Sequence, residues 1–128
     1  PAPGKVPLSS MAPTLVFDPQ GALWLAVGSP GGSTIPTTVA QIVSHLVDEG
    51  MSLDEALAAP RVHHQWRPAA LQVEPRGLEA ASVRALEARG HEVRFRKDGW
   101  GDAQAVRRLG TLWEAASDPR WEGVPAAP

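Results

Sequence analysis

The stretch Leu23-Trp24-Leu25-Ala26-Val27-Gly28-Ser29-Pro30-Gly31-Gly32-Ser33 joins an apolar strand to a glycine-rich turn. An amphipathic helix follows at once, with one apolar stripe at helical spacing formed by Ile35, Val39, Ile42, Val43, Leu46 and Val47. The first N–H groups of a helix have no partner within it, and the helix dipole adds positive charge there. The junction therefore predicts a place for an anion, or for the negative oxygen that develops during acyl transfer.

Two familiar phosphate-binding loops do not fit this glycine turn. A P-loop requires lysine after the last glycine, whereas Ser33 and Thr34 stand there. A dinucleotide-binding loop requires the spacing G-x-G-x-x-G, which this turn lacks. An oxyanion-binding turn and a plain structural turn remain as equal alternatives on these residues.

The remaining patterns predict a layered α+β fold in which helices pack on an antiparallel sheet. The continuous apolar run of the second strand predicts burial on both of its faces. Ser52 and Glu55 form a capping box for a short helix. The predicted elements are a hairpin at 14–17 and 23–27, helices at 35–47, 53–59 and 78–89, strands at 62–66, 71–74 and 91–96, and a last hairpin at 103–107 and 111–116.

Composition indicates one globular domain spanning residues 1–128, with a linker-like opening at 1–7. Of its 128 residues, 43% are hydrophobic and 20% charged, and the net charge is −2. This balance excludes a disordered chain and gives no electrostatic footprint for nucleic acid. No apolar run predicts a membrane span, and the absence of cysteine excludes disulfides and thiol catalysis. The five tryptophans are expected to be core and interface anchors.

Adjacent hydroxyls in Pro7-Leu8-Ser9-Ser10-Met11 form a second candidate site. Ser9 and Ser10 could donate hydrogen bonds to a carboxylate without adding charge. A solvated serine turn accounts for the same residues, and the sequence of this segment alone favours that simpler interpretation.

The other polar candidates favour structural roles. Rings of His63 and His64 on one strand point to opposite faces, so they are poorly placed to chelate one metal ion. We expect one of them to lie near Trp66 and to bond to the backbone. Arg61 and Arg120 are expected to be partners in structural ion pairs. No metal site and no cofactor are expected.

Taken in order along nearly the whole chain, a set of short motifs resembles the γ-glutamyltransferase (glutathione hydrolase) family. Each motif is weak alone, but the ordered set is specific. They are PLSSMAPT at 7–14, GSPGGS at 28–33, the threonine pair at 37–38, APRVHHQW at 59–66, WGDAQA at 100–105 and DPR at 118–120.

The resemblance implies an N-terminal nucleophile hydrolase fold, with two antiparallel sheets between helix layers. Members of this family are precursors that cleave themselves into a large and a small subunit. The new N-terminal threonine of the small subunit attacks a γ-glutamyl amide, and water or an amino acid or peptide acceptor resolves the γ-glutamyl-enzyme. The resemblance also implies a periplasmic or secreted location, for which these residues carry no signal of their own.

The family pattern assigns specific roles to residues of this chain. It gives the backbone N–H groups of Gly31 and Gly32 to the oxyanion hole, and Ser9 and Ser10 to the α-carboxylate of the γ-glutamyl group. It matches the chain to the C-terminal part of a small subunit. We therefore expect the nucleophile, the residues for the α-amino group and an arginine of the large subunit to lie outside these residues.

The isolated chain is accordingly predicted to be inactive. The threonines Thr34, Thr37 and Thr38 have their amides in the chain and cannot serve as an N-terminal nucleophile. Expected partners are a glutathione-like γ-glutamyl substrate, the large subunit and the N-terminal part of the small subunit. A cephalosporin acylase, a poly-γ-glutamate depolymerase, or an inactive truncated module that only binds or self-associates remain as alternatives.

Overall fold

The structure is a computed structural model, and it describes residues 2–126. Pro1 of the predicted linker and the last two residues lie outside this range. The elements in chain order are β1 (Thr14–Phe17), β2 (Leu23–Gly28), a 3₁₀ turn (Gly32–Thr34), α1 (Ile35–Val47), α2 (Leu53–Ala58), β3 (Val62–His63), β4 (Ala70–Val73), α3 (Ala80–Glu87), β5 (Glu92–Phe95), β6 (Gln104–Leu109) and β7 (Leu112–Ser117).

A four-stranded antiparallel sheet organises the fold, with strand order β1-β2-β6-β7. Strand β2 lies between β1, its hairpin neighbour, and β6, a partner from far along the chain. The register of that long-range pair sets Gly28 opposite Gln104. The end of β2, where the glycine turn begins, therefore lies beside the start of β6.

Helices α1 and α2 form the core with one face of this sheet. The apolar stripe of α1 is largely buried, and it packs with Leu25 and Val27 of β2. Val47, the last residue of the predicted stripe, is instead 58% exposed. Ile42 and Leu57 are 1% and 0% exposed. Fully burying such a side chain contributes about 1.5–3 kcal/mol. This packing fixes the axis of α1, and with it the direction of the glycine turn.

The opposite face of the sheet is less covered than the apolar run of β2 predicts. Leu25 and Val27 are buried, whereas Trp24 and Ala26, which alternate with them, are only half-buried. Around Ala26 and Val106 this face forms an open hollow of about 730 Å³. Burial on both faces of β2 is therefore not found within residues 2–126.

The second sheet differs from the prediction in one strand pair. Its order is β3-β4-β5, and β4 and β5 run parallel, whereas the sequence pattern predicts antiparallel pairing throughout. The reason is the crossover through α3, which returns the chain to the same end of the sheet before β5 begins. The α+β class itself is confirmed.

The element boundaries lie close to those predicted from sequence, whereas most of the tryptophans are less buried than expected. The capping box of α2 is present, with the Ser52 N–H donating to Glu55 Oε2 at 2.9 Å. Trp100 alone of the five tryptophans is buried, while Trp66 and Trp121 are 74% and 64% exposed. A role as core anchor therefore holds for Trp100. Among residues 2–126, no helix has the length and apolarity needed to cross a bilayer.

Candidate active site

The glycine turn, residues 28–34, directs its carbonyl groups into the start of the helix. Gly31 O accepts hydrogen bonds from the Thr34 N–H at 3.3 Å and the Thr34 hydroxyl at 3.0 Å. Gly32 O accepts from the Ile35 N–H. Within residues 2–126, the N–H groups of Gly31 and Gly32 donate to no acceptor. Two free donors thus precede the positive end of α1, the arrangement that stabilises a developing oxyanion.

Gly31 is required by both space and backbone conformation. Its φ is 143°, and a Cβ built there would lie 2.7 Å from Thr34 Oγ1. Gly32 differs, because its φ of 59° lies in the left-handed region and a Cβ would meet nothing within 4 Å. The position of the first N–H therefore depends on glycine far more strongly than that of the second.

A second loop, residues 99–103, supports the glycine turn from the side. The Asp102 N–H donates to Ser29 Oγ at 3.2 Å. A Cβ on Gly31 would lie 3.9 Å from the Cα of Gly101, so the two backbones are close. Gly101, at φ 80°, also leaves room for an arginine nitrogen 3.0 Å from where a Cβ would be.

That arginine is Arg61, whose side chain is 2% exposed. It donates to Asp118 Oδ2 at 2.6 Å, to Leu57 O at 3.1 Å and, through Nη1, to Trp100 O. Asp118, 0% exposed, also accepts from the Ala103 N–H at 3.0 Å. The supporting loop is therefore held at both ends by one buried ion pair.

Glu74 and Arg120 complete this buried charge network. Glu74 accepts from the Trp100 N–H at 2.8 Å and from the Arg61 N–H at 2.9 Å. Arg120 pairs with Glu74 and donates to Asp118 Oδ1 at 3.0 Å. Two cations thus face two anions, and nearly every polar atom has a partner. Removing one member would leave an uncompensated buried charge, which costs several kcal/mol.

The pKa directions agree with this geometry. Burial alone would raise the pKa of Asp118, but hydrogen bonds from Ala103, Arg61 and Arg120 outweigh it and hold that pKa below its usual value. Burial lowers the pKa of Arg61, with Asp118 opposing the shift. For Arg120, the bonds to Glu74 and Asp118 overcome burial and raise the pKa. Asp118 is therefore ionised at neutral pH, and both arginines keep their charge.

The two neighbouring histidines point to different environments, as the strand pattern predicted. His63 is 2% exposed, and its ring lies between Thr37 Oγ1 at 2.7 Å and Gln65 Oε1 at 2.9 Å. His64 is exposed and accepts from the Trp66 N–H at 3.2 Å. The described residues contain no cluster of three side chains suited to a metal ion. His63 thus ties β3 to the first turn of α1.

The predicted serine pair makes no hydrogen bond to the glycine turn within the described residues. Ser9 and Ser10 are exposed in the segment before β1, and the Ser9 hydroxyl accepts from the Met11 N–H at 3.3 Å. Within residues 2–126, no hydrogen bond joins either serine to Gly31 or Gly32. Their hydroxyls therefore remain available to a ligand.

The sequence predicts both arginines to be ion-pair partners, but it does not identify the acids that they meet. Asp118 stands two residues before Arg120, in the same short motif, which is a local signal. Glu74 is signalled only by being a charged residue at the end of an apolar strand. Neither the partner pairing nor the link to residues 99–103 is encoded in local spacing.

The chain is similar over nearly its whole length to known proteins of one family. The family model for gamma-glutamyltranspeptidase matches residues 1–127. The glutathione hydrolase proenzyme of Escherichia coli (strain K12) is 47% identical over 120 residues, which are 92% of this chain and 20% of that protein. The acylase ACY 1 proenzyme of Pseudomonas sp. (strain SE83) is 38% identical over 128 residues, covering 98% of this chain and 22% of the relative.

A solved structure gives the same result for the fold. A mutant of Helicobacter pylori gamma-glutamyltranspeptidase superposes with a TM-score of 0.87 at 38% identity. The match covers 94% of this chain and 66% of that one. The chain spans about a fifth of the length of the curated relatives, as the 20% and 22% coverages show.

Proposed function

This chain belongs to the gamma-glutamyltranspeptidase family, and from that membership we propose that it forms part of an enzyme that cleaves γ-glutamyl amides. The γ-glutamyl group would pass to water or to an amino acid or peptide acceptor. The fold is the α+β fold of the N-terminal nucleophile hydrolases. The observation that carries the proposal is the pair of N–H groups, on Gly31 and Gly32, that have no acceptor within residues 2–126.

In this reaction the glycine turn acts on the transition state. A threonine nucleophile, supplied from outside these residues, adds to the γ-carbonyl carbon, and the carbonyl oxygen becomes negative. The N–H groups of Gly31 and Gly32 would donate to that oxygen, reinforced by the dipole of α1. The α-amine of that threonine would take up its hydroxyl proton and pass it to the departing nitrogen as the C–N bond breaks. An ester remains, which water or an acceptor amine then cleaves, and the hydroxyl is regenerated.

Ser9 and Ser10 are proposed to bind the α-carboxylate of the γ-glutamyl group. Their exposed hydroxyls support this role, since a hydroxyl donates to a carboxylate without adding a charge. Ala12, two residues after the pair, packs against the core and borders a groove with Pro36 at the start of α1. Thr14, which begins β1, pairs with Val27 near the end of β2, so the segment that carries the serines joins the sheet beside the strand that leads into the glycine turn.

The double change Ser9→Ala with Ser10→Ala tests this assignment in the full-length protein. Hydrogen bonds to a charged group contribute about 1.5–3 kcal/mol each, so KM for γ-glutamyl-p-nitroanilide should rise at least about tenfold. Turnover at saturation should change less. Ser82→Ala, an exposed serine on α3, is the matched control. An unchanged KM in the folded double variant would remove the carboxylate role.

A related acylase remains the second candidate, because the acylase relative is 38% identical over this same segment. Comparing a γ-glutamyl amide with the same amide lacking the α-carboxylate separates the two. A γ-glutamyl enzyme should strongly prefer the first donor, whereas equal turnover of both would favour an acylase. No turnover of either by the assembled protein would favour a module that only binds.

A further inference from the structure

An open cavity of about 330 Å³ adjoins the glycine turn, and it is lined by Pro30, Gly31, Gly101, Asp102 and Trp121. Its wall thus combines a backbone donor, a carboxylate and an aromatic ring. We propose that this cavity binds a positively charged group on the amine half of the substrate, either the acceptor or the leaving amine. The assignment rests on the proposed γ-glutamyl transfer, because that reaction brings an amine against Gly31.

The carboxylate of Asp102 has no cationic partner among the residues described. Its Oδ1 accepts a hydrogen bond from Gln104 Nε2 at 2.8 Å, a neutral donor. The ion pairs of residues 2–126 engage other acids, Glu74 and Asp118 among them. Asp102 is half-buried, and its N–H is fixed by Ser29 Oγ. A held, unpaired carboxylate beside a cavity favours an ammonium or guanidinium ligand.

Trp121 supplies the second cation-binding element. Its Nε1–H donates to Gly101 O at 2.8 Å, so the polar atom of the indole is already satisfied. The residue is nevertheless 64% exposed, and it lines the cavity. Aromatic faces attract cations through the ring quadrupole, with Trp the strongest. The Trp121 N–H donates to Asp118 O at 3.3 Å, which anchors this wall to the buried charge network.

The position of the cavity favours the amine half of the substrate over the acyl half. In the proposed reaction the carbonyl oxygen lies at the glycine turn and the α-carboxylate at Ser9 and Ser10. The amine departs from, or attacks, the carbonyl carbon next to Gly31. A cationic side chain on that amine would therefore lie within reach of Asp102 and Trp121.

The test uses the full-length protein and two amines of matched length, lysine amide and its neutral analogue norleucine amide. The readout is the ratio of their kcat/KM values as acceptors, and separately the ratio for the two corresponding γ-glutamyl donors. Asp102→Asn and Trp121→Leu should each reduce the preference for the lysine compound about fivefold to tenfold. Asp98→Asn, an exposed acid of the neighbouring loop that does not line the cavity, is the matched control.

The acceptor and donor measurements together show whether the cation belongs to the acceptor or to the leaving amine. Loss of preference among acceptors alone assigns the cavity to the acceptor, and loss among donors alone assigns it to the leaving amine. Unchanged ratios in both arms would overturn the proposal, as would an equal loss in Asp98→Asn. Calorimetry measures the affinity of the protein for lysine amide in the absence of turnover. Absent hydrolysis by the wild type would refute the proposed function, while equal binding by wild type and Asp102→Asn would refute this inference.

Discussion

Replacing Gly31 with alanine tests whether the glycine turn stabilises an oxyanion. The new Cβ would lie 2.7 Å from Thr34 Oγ1, and the φ of 143° is one that L-residues rarely adopt. Thr34 is 7% exposed and its hydroxyl is bonded to Gly31 O, so it has little freedom to retreat. The turn must therefore reorganise, and the Gly31 N–H then points elsewhere.

The expected loss follows from what one such donor contributes. Removing a single oxyanion donor costs about 10²–10³ in kcat, or about 3–4 kcal/mol. We expect Gly31→Ala to lower kcat for γ-glutamyl-p-nitroanilide by that factor in the full-length protein. KM should change less, because the donor acts on the charge that develops in the transition state.

Gly32→Ala is the matched control, one residue away in the same turn. Its φ of 59° is accessible to alanine at a cost of about 1–2 kcal/mol, and its Cβ would meet nothing within 4 Å. The turn should persist, and kcat should stay within about tenfold of the wild type. Circular dichroism establishes that both variants are folded. Wild-type kcat in folded Gly31→Ala would refute the assignment of the Gly31 N–H.

The remaining predictions concern the buried charge network and the isolated chain. Asp118→Asn should lower the melting temperature of the full-length protein at pH 7, since breaking a buried pair costs about 3–5 kcal/mol. Because the folded pKa of Asp118 is lowered, its contribution is complete above its unfolded pKa of about 4 and is lost as pH falls through the folded value. Melting curves from pH 7 to 3 should therefore show the gap between wild type and variant narrowing in acid, and a constant gap would contradict this. Arg61→Lys should lower both the melting temperature and kcat, because a lysine ammonium cannot reach the three acceptors that the guanidinium group spans. Arg94→Lys is the control, since Arg94 is 62% exposed and its change should alter the melting temperature little. Equal effects of the two changes would contradict the role of the buried charge network. The purified 13.6 kDa chain alone should release no p-nitroaniline, and release by that species would show that it carries its own nucleophile.

Local chemistry explains which features could be predicted from sequence. The hairpin at Asp18, the stripe of α1 and the capping box at Ser52 are each specified by residues within a few positions of one another. The glycine turn was found for the same reason, since strand, glycines and helix are contiguous. The residues of the turn alone fit both an oxyanion site and a structural turn, and only the ordered motifs along the whole chain indicate the family.

Features that depend on distant residues were not predictable in this way. Glu74 and Arg120 are separated by 46 positions, and Arg61 and Asp118 by 57. The parallel pairing of β4 with β5 depends on the path of the chain through α3. The cavity beside Gly31 depends on Trp121, which looks in the sequence like any other anchor. The charge or apolarity of a single residue does not specify which distant residue it contacts in the fold.

The placement of β2 beside β6 has a consequence for the order of folding. The whole course of the chain from Gly28 to Gln104 is an excursion between two neighbouring strands. Both loops of the candidate site are the ends of that excursion, where it leaves β2 and where it enters β6. Closing it carries the entropy cost of a long loop, so this contact is expected late in folding. The site therefore comes into being only with the global fold, and hydrogen exchange at Val27 and Ala105 would report its assembly.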